Sequence, residues 1–251
     1  MKIKLYAFVF LIAFGFFTQA QSKEVEKSWS SAVVYLPGKL FSVSVDKISV
    51  DKPTPVVIYL HGCVGINKYQ DANWASLLAE QGFIVILPDS FARPDRLRNC
   101  DPRLKTRTNA FPMVYEYRQQ EITYTLSQVM ASSWADKKNI FLMGHSEGGI
   151  AAAQSPHPEF AGKIISAWTC TDKKDPSFDG IFSPPNQPIL AMASLDDEWR
   201  KGTAYEGRCA DKALNRTNFK QIDRQGSIHS TYDNPDAQKA VKEFLKQYST
   251  K

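Results

Sequence analysis

Short continuous apolar runs alternate along the chain with stretches in which apolar residues recur every three or four positions. The runs have the length of buried strands, and the recurring residues mark one face of a helix. Strands that alternate with helices predict an α/β fold, with a mostly parallel central sheet covered by helices on both faces. The predicted strands of this sheet are Pro55–Leu60, Phe83–Leu87, Asn139–Met143, Lys163–Trp168, Ile189–Ala193 and Phe219–Ile222.

The remaining pattern predicts an edge hairpin, five helices and one surface excursion. Residues 32–36 and 41–50 have the character of two antiparallel strands that turn at Pro37-Gly38. Residues 94–112 are expected to cross the surface. The predicted helices cover Trp74–Gly82, Ile122–Trp134, the residues after 146, Thr203–Leu214 and Ala240–Tyr248. Because no repeat or linker interrupts this pattern, residues 21–251 are expected to form one domain.

The first residues are typical of a secretory signal peptide. Lys2 and Lys4 precede an uncharged, almost wholly apolar run from Leu5 to Phe17, and cleavage is expected after Ala20. A transmembrane anchor is the rival interpretation, but the run is shorter than the roughly 20 residues that span a bilayer. The sequence therefore predicts a signal peptide at 1–20, no stable membrane span after cleavage, and a periplasmic or secreted protein.

The charge of the chain does not favour nucleic acid as a partner. The formal net charge is +5, of which Lys2 and Lys4 supply two charges, and the basic residues are mostly scattered. One local cluster of basic residues follows the second predicted sheet strand, and most of its members are expected to lie in a solvated loop. The cluster consists of Arg93, Arg96, Arg98, Arg103, Lys105 and Arg107.

The four cysteines favour disulfide bonds. Cys63, Cys100, Cys170 and Cys209 are an even number in a chain predicted to be exported, and they allow three connectivities. We favour Cys63–Cys100 and Cys170–Cys209, which join neighbours in sequence. The sequence contains no Cys-x-x-Cys or His-x-x-x-His spacing, so no metal site and no cofactor are expected.

Residues 144–148, Gly-His-Ser-Glu-Gly, follow a predicted strand and precede a run of small residues. Strand, Gly-x-Ser-x-Gly and helix together form the setting of a nucleophile elbow, in which a tight turn exposes the serine hydroxyl. Glycines are needed there because side chains beside the serine would clash. Ser146 is thus the predicted nucleophile.

An activated serine needs a histidine base and an acid that orients the histidine. In this type of sheet the acid and then the histidine follow the nucleophile along the chain. His229 lies in a loop after the last predicted strand, and it is the candidate base. The acid is expected just after strand 189–193, where we prefer Asp197 to Asp196, with Glu198 as the third choice.

The negative charge that develops on a carbonyl oxygen requires two backbone N–H donors. One is expected from Glu147, which follows the nucleophile, and the other from the loop after the first central strand. We assign the second donor to Cys63. His61, in the same loop, is expected to shape it, and His61 and Trp199 are further candidates for substrate contacts.

These residues together resemble the α/β-hydrolase superfamily and, within it, the dienelactone hydrolase family, over nearly the whole mature chain. The segments that carry the resemblance are Tyr59–Gly65, Pro88–Arg93 and Asp197–Trp199 with Cys209 downstream. Trp199 matches a tryptophan found in the acid loop of the family, which supports Asp197 as the acid. The resemblance also implies that Arg93 holds a substrate carboxylate.

The chain departs from dienelactone hydrolases proper, which use a cysteine nucleophile with a glutamate beside it. Ser146 stands in place of that cysteine, and Gly62 in place of the glutamate. The resemblance therefore implies a serine-nucleophile, exported member that hydrolyses carboxylic esters or lactones without a cofactor. A serine peptidase on the same fold, or a non-catalytic relative that binds a ligand or partner, are the alternatives.

Overall fold

A computed structural model of the protein describes residues 23–107 and 111–250. The predicted signal peptide, residues 1–20, lies outside the described residues. The strands are β1 (Val33–Tyr35), β2 (Val43–Ser44), β3 (Thr54–Leu60), β4 (Ile84–Leu87), β5 (Cys100–Asp101), β6 (Thr106–Arg107), β7 (Ala135–His145), β8 (Gly162–Ser166), β9 (Ile189–Ser194) and β10 (Phe219–Arg224).

Eight of these strands form one sheet in the order β10-β9-β8-β7-β3-β4-β1-β2. The six strands from β10 to β4 run parallel, whereas β1 pairs antiparallel with both β4 and β2. Strands β5 and β6 form a separate two-stranded hairpin. The prediction of a mostly parallel central sheet is confirmed.

The helices are residues 23–30 (α1), α2 (Asp71–Glu80), α3 (Phe111–Ala131), α4 (Glu147–Gln154) and α5 (Pro235–Tyr248). Successive residues of a strand point to opposite faces, so each central strand packs on both sides. Val57 and Tyr59 of β3 belong to the core formed with α2 and α5, while Val56 and Ile58 pack in the core with α3 and α4. The helices thus cover both faces, as predicted.

Three predicted elements differ from the structure. The second edge strand is only β2, and a 3₁₀ helix at Val45–Lys47 follows it directly. Helix α3 begins at Phe111 and not at Ile122. The sequence pattern did not reveal its first half because Arg118 and Glu121, which are buried in the structure, interrupt the apolar spacing. The predicted helix 203–214 is a 3₁₀ helix at Cys209–Lys212 alone.

The close approach of two loops explains why no α-helix forms at 203–214. A Cβ atom on Gly207 would overlap the side chain of Thr171. Cys209 is in addition bonded to Cys170 in the same loop. These contacts hold residues 203–214 against the loop that contains Thr171 and Cys170. The local sequence of the segment does not reveal the conformation that results.

Both disulfide bonds join the cysteines that neighbour each other in sequence, Cys63–Cys100 and Cys170–Cys209. Within the two described ranges, no helix combines the length and the apolar character that crossing a membrane requires.

The parallel strands place their carboxyl ends along one edge of the sheet. Strands β3, β7, β9 and β10 end there at Leu60, His145, Ser194 and Arg224. Such an edge is where sites form in open α/β sheets. The predicted nucleophile, acid, base and N–H donors all follow these strand ends, and so the topology collects them in one region.

Lys163 is a buried lysine of β8, the strand that pairs with β7 on the side away from β3. Its side chain is fully buried, and its Nζ donates to the carbonyl oxygen of Ser155 at 2.5 Å and to the Ser183 hydroxyl at 2.9 Å. Burial lowers the pKa of Lys163 from 10.5 to about 7, and the nearby charge of Arg216 adds to this effect.

We predict that replacing this lysine changes how stability depends on pH. Between the folded pKa of about 7 and the unfolded value of 10.5, the unfolded state binds more protons at Lys163, so the free energy of unfolding rises with pH. The slope is at most about 1.4 kcal/mol per pH unit. Urea unfolding at pH 7, 8 and 9 should show a flatter profile for Lys163→Met.

Lys220→Met, which replaces an exposed lysine, should keep the slope of the wild type. Equal slopes for Lys163→Met and the wild type would contradict the prediction.

Candidate active site

Ser146 occupies a strained turn between β7 and α4. Its φ is 57° and its ψ is −113°, a conformation that non-glycine residues rarely adopt, and its N–H donates to the carbonyl oxygen of Ser166 at 2.9 Å. The flanking glycines permit this geometry. A Cβ on Gly144 would overlap the backbone of Gly148, and a Cβ on Gly148 would overlap the carbonyl group of Leu60. The turn therefore presses against the end of β3.

The imidazole of His229 lies between Ser146 and Asp197. Its Nε2 is 2.9 Å from the Ser146 Oγ, and its Nδ1 is 2.7 Å from the Asp197 Oδ2. A carboxylate only accepts hydrogen bonds, so Nδ1 carries the proton that points to Asp197 and Nε2 accepts from the serine hydroxyl. The structure brings together the three side chains that the sequence singles out.

Asp197 differs from the two acids beside it. Its carboxylate is 1% exposed and also accepts from Arg200 Nη1 at 2.8 Å and from the Trp199 N–H at 3.0 Å. Asp196 and Glu198 are exposed and face Lys201 and Lys105 instead. Of the three candidates, only Asp197 contacts His229 among the described residues.

The surroundings lower the pKa values of both Asp197 and His229. Burial alone would raise the pKa of Asp197, but the hydrogen bond from His229 and the charge of Arg200 outweigh it and lower the pKa to about 2. Burial lowers the pKa of His229 below its ordinary value of 6.5, although Asp197 opposes this shift. At neutral pH the acid is therefore ionised and the imidazole is neutral, the states that a general base requires.

The loop after β3 passes directly over the nucleophile. The Cβ position of Gly62 is 3.5 Å from the Ser146 Cβ, so a larger residue here would crowd the hydroxyl. Cys63, Ser146 and Glu147 line one cavity. The two residues that carry the predicted N–H donors thus line the same cavity as the serine.

His61 is fully buried and does not line that cavity. Its Nδ1 lies 2.7 Å from the carbonyl oxygen of Gly62, and its Nε2 accepts from the Ser90 N–H at 3.1 Å. Burial and the charge of Arg118 lower the pKa of His61 well below 6.5, which keeps the ring neutral. The ring connects the loop to the segment after β4, so its contacts are those of a loop-shaping residue and not of a substrate ligand.

The structure does not bring Arg93 to the cavity. The guanidinium is buried, makes two bonds of 3.1 Å to Asp95, donates to Gln120 and stacks on the ring of Tyr117. With its donors engaged and its side chain enclosed, Arg93 is not placed to hold a substrate carboxylate. Trp199, in contrast, lines the cavity, with its ring centroid 5.6 Å from that of His229.

A buried network of ion pairs, which the sequence pattern did not indicate, joins the elbow to the loop after β3. Arg96 Nη2 donates to Glu147 Oε1 at 2.7 Å. Arg118 donates to Glu121 at 2.8 Å and to the carbonyl oxygen of His61 at 2.8 Å. Most members of the basic cluster that contains Arg96 are expected to be solvated, and Arg98, Arg103 and Lys105 are indeed exposed, whereas Arg96 and Arg93 are buried.

Gln70, just before α2, holds the loop that carries His229. Its Oε1 accepts from the Ser230 hydroxyl at 2.6 Å and from the N–H groups of Thr231 and Tyr232 at 3.1 and 3.2 Å. Its Nε2 lies 3.2 Å from Nδ1 of His145, whose ring packs against His229. A single glutamine in a polar stretch carries no signal of this role in the sequence.

The cavity beside Ser146 is small, and aromatic, charged and polar side chains share its wall. Its volume is about 40 Å³, counted as the space that the centre of a water molecule can reach. This is room for roughly three waters. The disulfide Cys63–Cys100 forms part of the wall. The aromatic side chains around it are Phe111, Trp168, Trp199 and Tyr205.

No cluster of three or more candidate metal ligands occurs within residues 23–107 and 111–250. The arrangement can nevertheless perform chemistry through side chains alone. A hydroxyl oriented towards a neutral imidazole, with an ionised carboxylate behind the imidazole, is suited to nucleophilic attack on a carbonyl carbon.

Comparison with known sequences gives two matches. The model of the dienelactone hydrolase family matches residues 44–205. The chain is also 25% identical over 197 residues to S-formylglutathione hydrolase of Saccharomyces cerevisiae. That match covers 69% of this chain and 62% of the yeast enzyme, so the chain spans about three fifths of the length of this relative.

Solved structures share the fold. S-formylglutathione hydrolase from Agrobacterium tumefaciens superposes with a TM-score of 0.58 at 17% identity, over 87% of this chain and 90% of that one. Est1E from Butyrivibrio proteoclasticus, with ferulic acid bound, superposes with a TM-score of 0.56 at 14% identity, over 87% and 94%. At these identities the likeness shows the α/β-hydrolase fold alone.

We predict that Arg96→Met destabilises the protein by about 3–5 kcal/mol, because it removes the hydrogen-bonded partner of the buried Glu147 carboxylate and leaves only Arg118, whose Nε lies 3.6 Å from Glu147 Oε1. Urea unfolding at pH 7 measures this free energy. The double variant Arg96→Met, Glu147→Gln removes the charge as well, and it should regain most of the loss. A single variant that costs less than about 1 kcal/mol would contradict a buried, charged Glu147.

Proposed function

This chain belongs to the dienelactone hydrolase family, and on that premise we propose that it is a serine hydrolase of carboxylic esters or lactones. The observation that carries the proposal is the continuous series of contacts from Asp197 through His229 to Ser146, at 2.7 and 2.9 Å. The neutral state of His229 and the ionised state of Asp197 support it.

In the proposed reaction the Ser146 Oγ attacks the ester carbonyl while His229 Nε2 takes the hydroxyl proton. Asp197 remains ionised and holds the Nδ1 proton of the imidazole. The N–H groups of Cys63 and Glu147 donate to the oxygen that becomes negative, and each such donor is worth roughly 3–4 kcal/mol of the barrier. His229 then protonates the leaving alcohol, and water, activated by the same imidazole, releases the acid from Ser146.

Ser146 in place of cysteine favours simple esters over the dienelactone itself. A serine hydroxyl depends on its neighbouring base for activation, and His229 at 2.9 Å is positioned to supply it. Thioesters, by analogy with the S-formylglutathione hydrolases, and esters of aromatic acids, by analogy with Est1E, are the further substrate classes to test.

We also propose that the chain is exported and that residues 1–20 are removed, leaving 21–251 as the mature domain. The two disulfide bonds support this proposal, because disulfides persist in oxidising compartments. The N-terminal sequence of the mature protein checks it, and a chain that keeps Leu5–Phe17 would contradict it.

The function is tested by hydrolysis of p-nitrophenyl acetate, a thioester and a peptide p-nitroanilide. The wild type should cleave the ester, and Ser146→Ala and His229→Ala should each lower kcat by at least about 10⁴-fold. Ser127→Ala, which changes an exposed serine of α3, should match the wild type.

The outcomes separate the alternatives. Cleavage of the peptide substrate at a higher kcat/KM than the ester would favour a peptidase. No cleavage of any substrate, or equal rates for the wild type and Ser146→Ala, would contradict a serine hydrolase and favour a binding protein.

The pH profile of kcat/KM is a separate prediction. Protonated His229 cannot accept the serine proton, so activity should rise with pH through the pKa of this residue. Burial lowers that pKa, and the midpoint should therefore lie below 6.5. Phenyl acetate hydrolysis followed in a pH-stat measures the profile, and a midpoint above pH 7 would contradict the geometry described for His229.

A further inference from the structure

Asn99 has a buried polar atom that the protein leaves without a partner. The residue is 1% exposed and lines the cavity beside Ser146. Among the described residues, no hydrogen-bond donor reaches its amide oxygen, Oδ1. A buried acceptor without a donor is costly and uncommon in native proteins. Because Asn99 lines the cavity beside Ser146, a bound molecule is one source of the missing donor.

The cavity fits the acyl half of an ester and not the alcohol half. The leaving alcohol takes its proton from His229, whereas the acyl group stays on Ser146. Ser146 and the two residues with the predicted N–H donors line the cavity, and His229 does not. The enclosed part of the cavity is small, so a short acyl group is enough to fill it. A feruloyl group is far larger than this.

The charges in the wall favour a neutral donor. Two cationic residues, Lys105 and Arg200, and one carboxylate, that of Glu147, line the cavity, so an ammonium group on the substrate would meet a wall with more positive than negative charges. A carboxylate has no proton to offer to the Asn99 Oδ1. Glu147, also in the wall, has a second unmatched acceptor, its Oε2. A hydroxyl group can donate to such acceptors without adding charge.

Asn99 directly precedes Cys100, whose disulfide bond to Cys63 ties this part of the chain to the loop that passes over Ser146. Asn99 and the residue with the predicted N–H donor are therefore linked through one disulfide bond. An acceptor whose backbone is tied to this loop is suited to select one acyl group from another.

We propose that this cavity is an acyl subsite for short hydroxyacyl groups, in which the Asn99 amide oxygen accepts the substrate hydroxyl. Asn99 is then a specificity-determining residue, and the preferred substrates are esters of small hydroxy acids. This inference rests on the proposed function, because it requires ester hydrolysis at Ser146.

The test compares ethyl glycolate with ethyl propionate, in which a methyl group replaces the hydroxyl. The ratio of their kcat/KM values is measured in a pH-stat for the wild type, Asn99→Leu and Asn99→Asp. Comparing ratios removes the intrinsic difference in reactivity between the two esters. The ratio should fall about tenfold in Asn99→Leu, the size expected for one buried hydrogen bond. Asn99→Asp keeps an acceptor oxygen and should keep most of the ratio.

Asn218→Leu is the matched control, since Asn218 precedes β10 at the opposite edge of the sheet. Its ratio should equal that of the wild type. Equal ratios in the wild type and Asn99→Leu would overturn the inference, as would a higher kcat/KM for glycine ethyl ester than for ethyl glycolate. If the wild type cleaves neither ester faster than Ser146→Ala does, the proposed function itself fails.

A second measurement needs no variant at Asn99 and decides the question if Asn99→Leu does not fold. Glycolamide and propionamide differ in the same hydroxyl and carry no charge. As competitive inhibitors of phenyl acetate hydrolysis by the wild type, glycolamide should act at about tenfold lower concentration. Equal inhibition constants would overturn the assignment of Asn99.

Discussion

The close packing of the elbow against its two neighbouring strands is the constraint on which the rest of the site depends. Ser146 can adopt its positive φ only because its N–H bonds to Ser166 of β8 and because Gly148 lies against the carbonyl group of Leu60 of β3. The same contact sets the distance between the first turn of α4 and the loop that begins at His61. The predicted oxyanion donors therefore belong to two elements whose separation is determined by backbone packing, without room for a side chain.

Polar groups buried behind the elbow hold the remaining parts in register. Arg96 and Arg118 connect the carboxylate of Glu147 with the backbone of His61, while Gln70 holds the loop of His229 through three hydrogen bonds. Buried charges and amides of this kind are costly when one partner is missing, so the arrangement is sensitive to each member. Because each missing partner would be costly, these contacts keep three separate loops in one geometry around the partly buried imidazole of His229.

Features that depend on a single strand, helix or turn could be predicted from the sequence, whereas contacts between elements that are distant in sequence could not. The glycines around Ser146 indicate a turn that has no room for side chains, and the continuous apolar runs indicate buried strands. The elbow and the sheet could therefore be inferred from the sequence. Arg96 and Arg93 have the sequence context of loop arginines, and only the tertiary fold shows that both are buried and paired. Likewise, Arg118 and Glu121 interrupt the apolar pattern in the first half of α3, because Arg118 donates to the loop after β3 and Glu121 accepts from Ser90 after β4.

If Asp197 and His229 activate the hydroxyl of Ser146 as proposed, covalent labelling of the protein should reveal it. A fluorophosphonate reacts with activated serines, and tandem mass spectrometry of the digested protein locates the adduct. We expect a single adduct, on the peptide with Ser146, which forms in the wild type and is lost or greatly slowed in His229→Ala. No adduct in the folded wild type, or an adduct only on another serine, would contradict it.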